Sequence, residues 1–289
     1  MMLHFVETTP CGTPAVTHVI HRSRNVINNN VGGVTSLGDD VFVVRYNSQQ
    51  IEVYDAATFT LQRCHAVPEL GSCSHGLAVC AKNNCLYASD CDNNNIHRVE
   101  LSGSNAVTKW SVACQAQGLS VNIANNLLVM SSSESKLQEF TTHGTLVQTI
   151  QLQAGSGPCH AIHLANGKFV VSCQGSLHGV CLVDVKGAVI RSYGGQKGGR
   201  LTEMNVPAGL AVDKYGNILV ADQCNHRLLV LDRTLTSAHV MSVSVEGGLS
   251  CPFSLWYDKS RGRLYIGECT VVGRVIVIDN LKDFSTSQV

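Results

Sequence analysis

The sequence predicts an all-β fold: a six-bladed propeller of four-stranded antiparallel blades, its ring closed by an N-terminal strand. Three observations predict it. A motif opening on a small residue returns with anchors at 33, 76, 118, 161, 209 and 254, spaced 42 to 48 residues apart, the period of propeller blades. Each unit consists of short runs rich in Val, Ile, Leu and Tyr bounded by Gly, Asn, Asp and Ser, which is strand-and-turn chemistry. No segment carries a sustained 3.6-residue apolar stripe, so a helix would have no face to bury.

The composition agrees. Of the 289 residues 44% are hydrophobic and 15% charged, and 21 Lys+Arg balance 21 Asp+Glu. A chain of this balance buries enough apolar surface to offset its conformational entropy, which excludes disorder. Its apolar runs fall far short of the roughly 18 residues that a membrane-spanning helix needs. Zero net charge removes bulk attraction to a polyanion, so a nucleic acid would have to find a local basic patch.

Residues 1–289 read as one domain, blade by blade. Blade one opens at Gly33 and has its third strand at 51–55. Blade two opens at Gly76 and continues through 85–90 and 96–100. Blade three opens at Gly118, with a third strand at 137–141 and a fourth at 146–152; blade four opens at Ala161 and continues at 180–184 and 188–193. Blade five is the clearest copy: a strand at 209–213, a turn at Tyr215-Gly216, a second strand ending at Asp222, a polar loop and a third strand closed by Asp232. Blade six opens at Ser254, runs through 263–268 and 275–279, and lacks a fourth strand. Residues 15–20 supply one, and closing the ring this way removes a face that would otherwise invite aggregation.

Thirteen cysteines form no pair of C-x2-C motifs at zinc-finger distance, and several, such as Cys80, Cys85 and Cys181, sit in apolar strand-like runs as small buried hydrophobes. With no secretory pattern at residues 1–12, the expectation is a cytoplasmic protein with all its thiols reduced.

The run Val206-Pro207-Ala208-Gly209-Leu210-Ala211-Val212-Asp213, followed by Ala221-Asp222 and by Asn225-His226-Arg227, resembles the NHL repeat. Blades two and six resemble it through Ala88-Ser89-Asp90 and the Ser254 strand, and the remaining blades in outline. Overall the chain is similar to the C-terminal propellers of animal TRIM-NHL proteins. That resemblance implies the substrate- or RNA-recognition part of a ubiquitin ligase, without ligase chemistry of its own.

Propellers bind ligands where equivalent loops converge at one end of the channel, so equivalent positions form columns. One column precedes the anchors: Gly32, His75, Gln117, His160, Ala208 and Phe253. The other ends the second strands at Arg45, Asp90, Ser131, Cys173, Asp222 and Glu268, followed by Tyr46, Cys91, Ser132, Gln174, Gln223 and Cys269. From these, Arg45, Tyr46, His75, Gln117, His160, Gln223, Phe253 and Glu268 form the expected ligand-binding face, a mixed polar and aromatic set able to read a partner. Asp90 and Asp222 belong to the repeat and are expected to hold turn amides. The acids beside Cys91 and Cys269 should disfavour their thiolates, against a catalytic cysteine.

The chain also resembles peptide-amidating lyases, which place zinc-binding histidines around the channel and use an arginine that Arg45 would match. His97 and His160 fall where two of those metal ligands would stand, but Phe253 occupies the third position, and a catalytic zinc normally has three protein ligands. No metal and no cofactor are therefore expected. For RNA the local feature is Lys186, Arg191, Lys197 and Arg200, four cations with Tyr193 and Tyr215 nearby. The resulting expectation is a monomeric, non-enzymatic module binding a protein segment on the channel face and no membrane. RNA binding through the four cations and a metal-dependent lyase are the alternatives.

Overall fold

The computed structural model describes residues 16–21 and 30–281. Six four-stranded antiparallel sheets stand in a ring, and the one helical element among the described residues is a 3-10 turn at Gln223–Asn225. From channel to rim, blade one runs Val31–Leu37, Asp40–Arg45, Gln50–Asp55 and Leu61–Ala66. The next four blades repeat that order.

Period-two alternation explains why the middle strands read as nearly unbroken apolar runs. In the second strand of blade one, Phe42 and Val44 face blade two and pack with Leu77, Leu86 and Ala88. Val41 and Val43 face blade six and pack with Tyr265, Val275 and Val277. Both faces of each sheet are covered, so both sets of side chains must be apolar. Each blade-to-blade interface has its own cluster of this kind.

The anchor glycines set how closely the inner strands approach. A Cβ at Gly76 would lie 2.5 Å from the Gln117 carbonyl oxygen, and one at Gly118 would lie 2.1 Å from that of Cys159. Backbone cannot step aside as a side chain can, so glycine is needed for this ring to close down to a narrow channel.

Ring closure follows the expectation. Val16–Ile20 is the outer strand of blade six, antiparallel to Val275–Ile278 with Ile20 opposite Val275; Ala15 lies outside the described residues.

Inner strands begin, and second strands end, at the same end of the ring, here called the upper end. In five blades the pairing of these two strands shifts register there, as between Val31 and Gly33, Ala116 and Leu119, Pro207 and Leu210, and Pro252 and Ser254. A bulge of this kind re-aims the extra side chain. Gly32, Gln117, Ala208 and Phe253 all fall within these irregularities, so these four residues of the first column owe their placement to the bulge.

Candidate functional site

At the upper end the second column is mostly scaffold. Asp222 accepts the Asn205 amide at 2.7 Å, Asn225 Nδ2 at 2.8 Å and Arg227 Nε at 2.7 Å. The rest of the Arg227 guanidinium donates to the carbonyls of Gly199, Arg200 and Glu203, each at 2.8 Å, fastening the connection between blades four and five. Blade six builds the same clamp with another acid: Glu268 takes Arg274 Nε at 2.7 Å, and Arg274 holds the carbonyls of Glu246 and Gly248. The repeat's Asn-x-Arg therefore ties down its own blade connection.

Arg45 and Glu268, expected to face a ligand, are each 1% exposed. Arg45 Nε donates to Glu52 at 2.8 Å and its Nη1 to the Gly273 carbonyl at 2.6 Å, joining blade one to a blade-six loop. A guanidinium and a carboxylate are stable in such burial because each meets an opposite charge and further hydrogen bonds. The sequence suggested contact residues because it could not show that these charges find partners within the ring.

Two first-column residues, His75 and Phe253, do converge, and Tyr46 joins them. The Tyr46 ring stacks on His75 with centroids 5.0 Å apart and planes within 1°, and Phe253 meets His75 edge-on at 5.7 Å. Burial lowers the proton affinity of His75, and burial, then Cys269 and Cys73, pushes the Tyr46 hydroxyl up. On the outer side of this group Cys73 Sγ lies 2.8 Å from His75 Nε2, and one ligand atom each of Cys73, His75 and Cys91 lies within 4.8 Å of the others. Cys91 and Cys269 are both held as thiols, mainly by burial; the acids invoked from sequence, Asp90 and Glu268, are not among the causes, and the acid that adds a little at Cys91 is Asp92. Apart from Cys64, the described cysteines are free thiols; Cys11 lies outside the described residues. Cys73, in a blade connection with no counterpart in the repeat, belonged to neither column and was missed; only its Cys-x-His spacing to His75 marked it.

His160 has both ring nitrogens engaged by backbone. Its Nδ1 accepts the Leu210 amide at 3.1 Å and its Nε2 donates to the Leu119 carbonyl at 3.0 Å, bolting blades three, four and five together. Burial lowers its pKa to about 4, which suits a neutral ring with one accepting nitrogen. His97, which the lyase resemblance places as the other metal ligand, is buried in the third strand of blade two with Nε2 3.5 Å from Asp90. Asp90 also takes the Asn93 amide at 3.1 Å, the turn role expected of it.

Below the aromatic group the channel holds an open cavity of about 460 Å³ whose wall runs from His75 and Phe253 past Leu119, Val121 and Ile162 to the exposed Ile123 and Lys259. Gln117 and Gln223 are half-buried at the upper end, outside that wall. Of the four cations, Lys186 precedes the outer strand Val189–Gly194 of blade four, Arg191 lies on it, and Lys197 and Arg200 follow it. All four are exposed. A strand of that length separates the end groups by about 20 Å. Tyr193 turns inward, its hydroxyl donating to the Leu201 carbonyl at 2.9 Å, which leaves Tyr215, 44% exposed, as the nearby exposed ring.

Residues 204–231 match the family model of the NHL repeat, in blade five where the clamp is most complete. No curated protein matches the chain by sequence. Among solved structures, the streptogramin B lyase structure superposes with a TM-score of 0.68 at 10% identity, covering 91% of this chain and 98% of that one. A Bacteroides thetaiotaomicron protein of unknown function gives 0.71 at 15% identity, over 92% of this chain and 73% of that one. The hydrazine synthase of Kuenenia stuttgartiensis gives 0.65 at 14%, over 91% and 99%. Likeness at this identity establishes the propeller fold, here one with an NHL repeat. No helix among the described residues is long and apolar enough to cross a membrane.

Proposed function

We propose that this propeller is a non-enzymatic recognition module that binds a protein segment at its upper mouth and seats an apolar side chain of that segment in the channel. The observation that carries the reading is the cavity of about 460 Å³, with Phe253 and His75 at its upper end and apolar residues such as Leu119, Val121 and Ile162 along its wall. Sites of about 300–1,000 Å³ lined this way take apolar groups. The charged residues of the second column support it too, because the Asp222 and Glu268 clamps and the Arg45–Glu52 pair serve the ring. Arg45, the residue a lyase reading would make catalytic, is held away from the cavity wall. In a ligase setting, as the TRIM-NHL resemblance implies, the bound segment would be the substrate's.

The test is selection of displayed random peptides on the purified protein, followed by titration of a recovered peptide. Peptides with a large apolar anchor are expected. Val121→Trp, which fills the channel, should abolish binding, and Phe253→Ala should weaken it by about tenfold or more. Raising salt from about 50 to 200 mM should change little. Undiminished binding to Val121→Trp would refute the channel site. A steep salt dependence, with loss in Lys197→Ala/Arg200→Ala alone, would favour RNA.

A further inference from the structure

We propose that Cys73, His75 and Cys91 bind a thiolate-seeking metal ion of the zinc(II) class at the upper rim between blades one and two. The geometry is close to what zinc needs. The three ligand atoms lie within 4.8 Å of one another. Tetrahedral zinc, at about 2.3 Å from sulfur and about 2.0–2.1 Å from nitrogen, places its ligand atoms about 3.5–3.8 Å apart. Side-chain rotation spans the difference: the 2.8 Å Cys73–His75 contact opens, and Cys91 gives up the 2.7 Å hydrogen bond its Sγ donates to the Ala116 carbonyl.

The backbone holding these groups is fixed. Cys73 and Cys91 are joined directly, the Cys91 amide donating to the Cys73 carbonyl at 3.1 Å. Asp92 Oδ2 accepts the Cys73 amide at 3.0 Å and the Ser72 hydroxyl at 2.7 Å, pinning the loop from outside. The His75 ring is held between Tyr46 and Phe253. Supporting contacts of this kind orient the ligands of metal sites.

The donor chemistry selects the ion. Two sulfurs and an imidazole favour zinc over magnesium or calcium, which take oxygen ligands. On binding, the two thiols release their protons to solvent, and two thiolates with a neutral imidazole balance the ion's double positive charge, as a partly buried site requires. A fourth position remains for water or a bound group, and because His75 also lines the cavity, the ion would stand beside the peptide site without depending on it.

The experiment uses metal-free full-length protein titrated with cobalt(II), a coloured stand-in for zinc, and then back-titrated with zinc. One equivalent should produce thiolate-to-cobalt charge-transfer absorption with d–d bands of tetrahedral intensity, both abolished by zinc. Cys73→Ser, His75→Gln and Cys91→Ser should each reduce affinity at least about tenfold. Cys224→Ser/Cys251→Ser, altering the neighbouring thiol pair near His226, should leave it unchanged. Far-UV circular dichroism checks that the metal-free variants fold; if Cys91→Ser does not, the half-buried His75→Gln decides. No stoichiometric cobalt or zinc binding, uptake of copper(I) alone, or a signal that survives His75→Gln would overturn the site.

Discussion

Blades five and two show the same second-strand ending used in two ways. In blade five, Asp222 faces Arg227 in register, and that arginine gathers three carbonyls of the preceding connection. In blade two, Asp90 faces Asn95, which reaches no blade connection and accepts from Ser111 instead. The connection before blade two is held by Asp92, outside the repeat pattern, and it carries Cys73 and His75 to the mouth. Where the repeat is complete, its polar residues are consumed in holding the ring. Departures from it leave side chains available for chemistry.

The largest expected effect breaks this comparison at its centre. Arg227→Ala removes the countercharge of a fully buried carboxylate and frees three carbonyls, and should cost about 3–5 kcal/mol, read as a lower urea midpoint. Asn95→Ala, at the equivalent place in blade two, should stay within about 0.5 kcal/mol. Equal losses would mean that the clamp is not what distinguishes the blades.

Next comes a part that blades share. In Gly118→Ala the new methyl group would sit 2.1 Å from the Cys159 carbonyl oxygen, so the inner strands of blades three and four must part. A loss of about 1–3 kcal/mol is expected, although no clamp is touched. An unchanged midpoint would show that the inner ring is looser than the glycine spacing implies.

A pH series separates His160 from both. Its pKa of about 4 in the folded chain lies below the ordinary value near 6.5. Between those values the unfolded chain binds the extra proton, so this contribution is complete above about pH 6.5 and is lost as pH falls towards 4, at no more than about 1.4 kcal/mol per pH unit. His160→Gln should flatten urea midpoints measured between pH 7 and 4.5. An identical pH dependence in the variant would remove His160 as a bolt between blades.

What could be read in the sequence was whatever repeats. The anchor spacing located all six blades, the glycines marked the close approaches, and the unpaired blade six located the closing strand. Reading columns down the repeat also placed His75 and Phe253 at the mouth. It failed for Arg45, because its partners Glu52 and Gly273 come from another strand and another blade, and one position cannot show whether its charge is met. It failed for Cys73 because a blade connection has no column. The bulges were equally hidden, since register is set by pairing geometry and not by residue type.

The smallest effect tests whether the asparagines follow the same division. Asn225 Nδ2 bridges Asp222 Oδ2 at 2.8 Å and the Gly198 carbonyl at 2.7 Å, so it joins blade five to its connection. Asn93 Nδ2 reaches Asp90 Oδ2 at 2.9 Å and acts within its own turn. Both lose a hydrogen bond to a buried carboxylate on mutation to alanine, but only Asn225→Ala also strands a carbonyl of the connection. About 1–2 kcal/mol is expected for Asn225→Ala and about half that for Asn93→Ala. Amide exchange of residues 196–204 should rise in the first variant and stay unchanged in the second, because only the first loosens that connection. Equal exchange in the two would confine the clamp to Arg227 alone, and the asparagine of the repeat would then serve the turn in both blades.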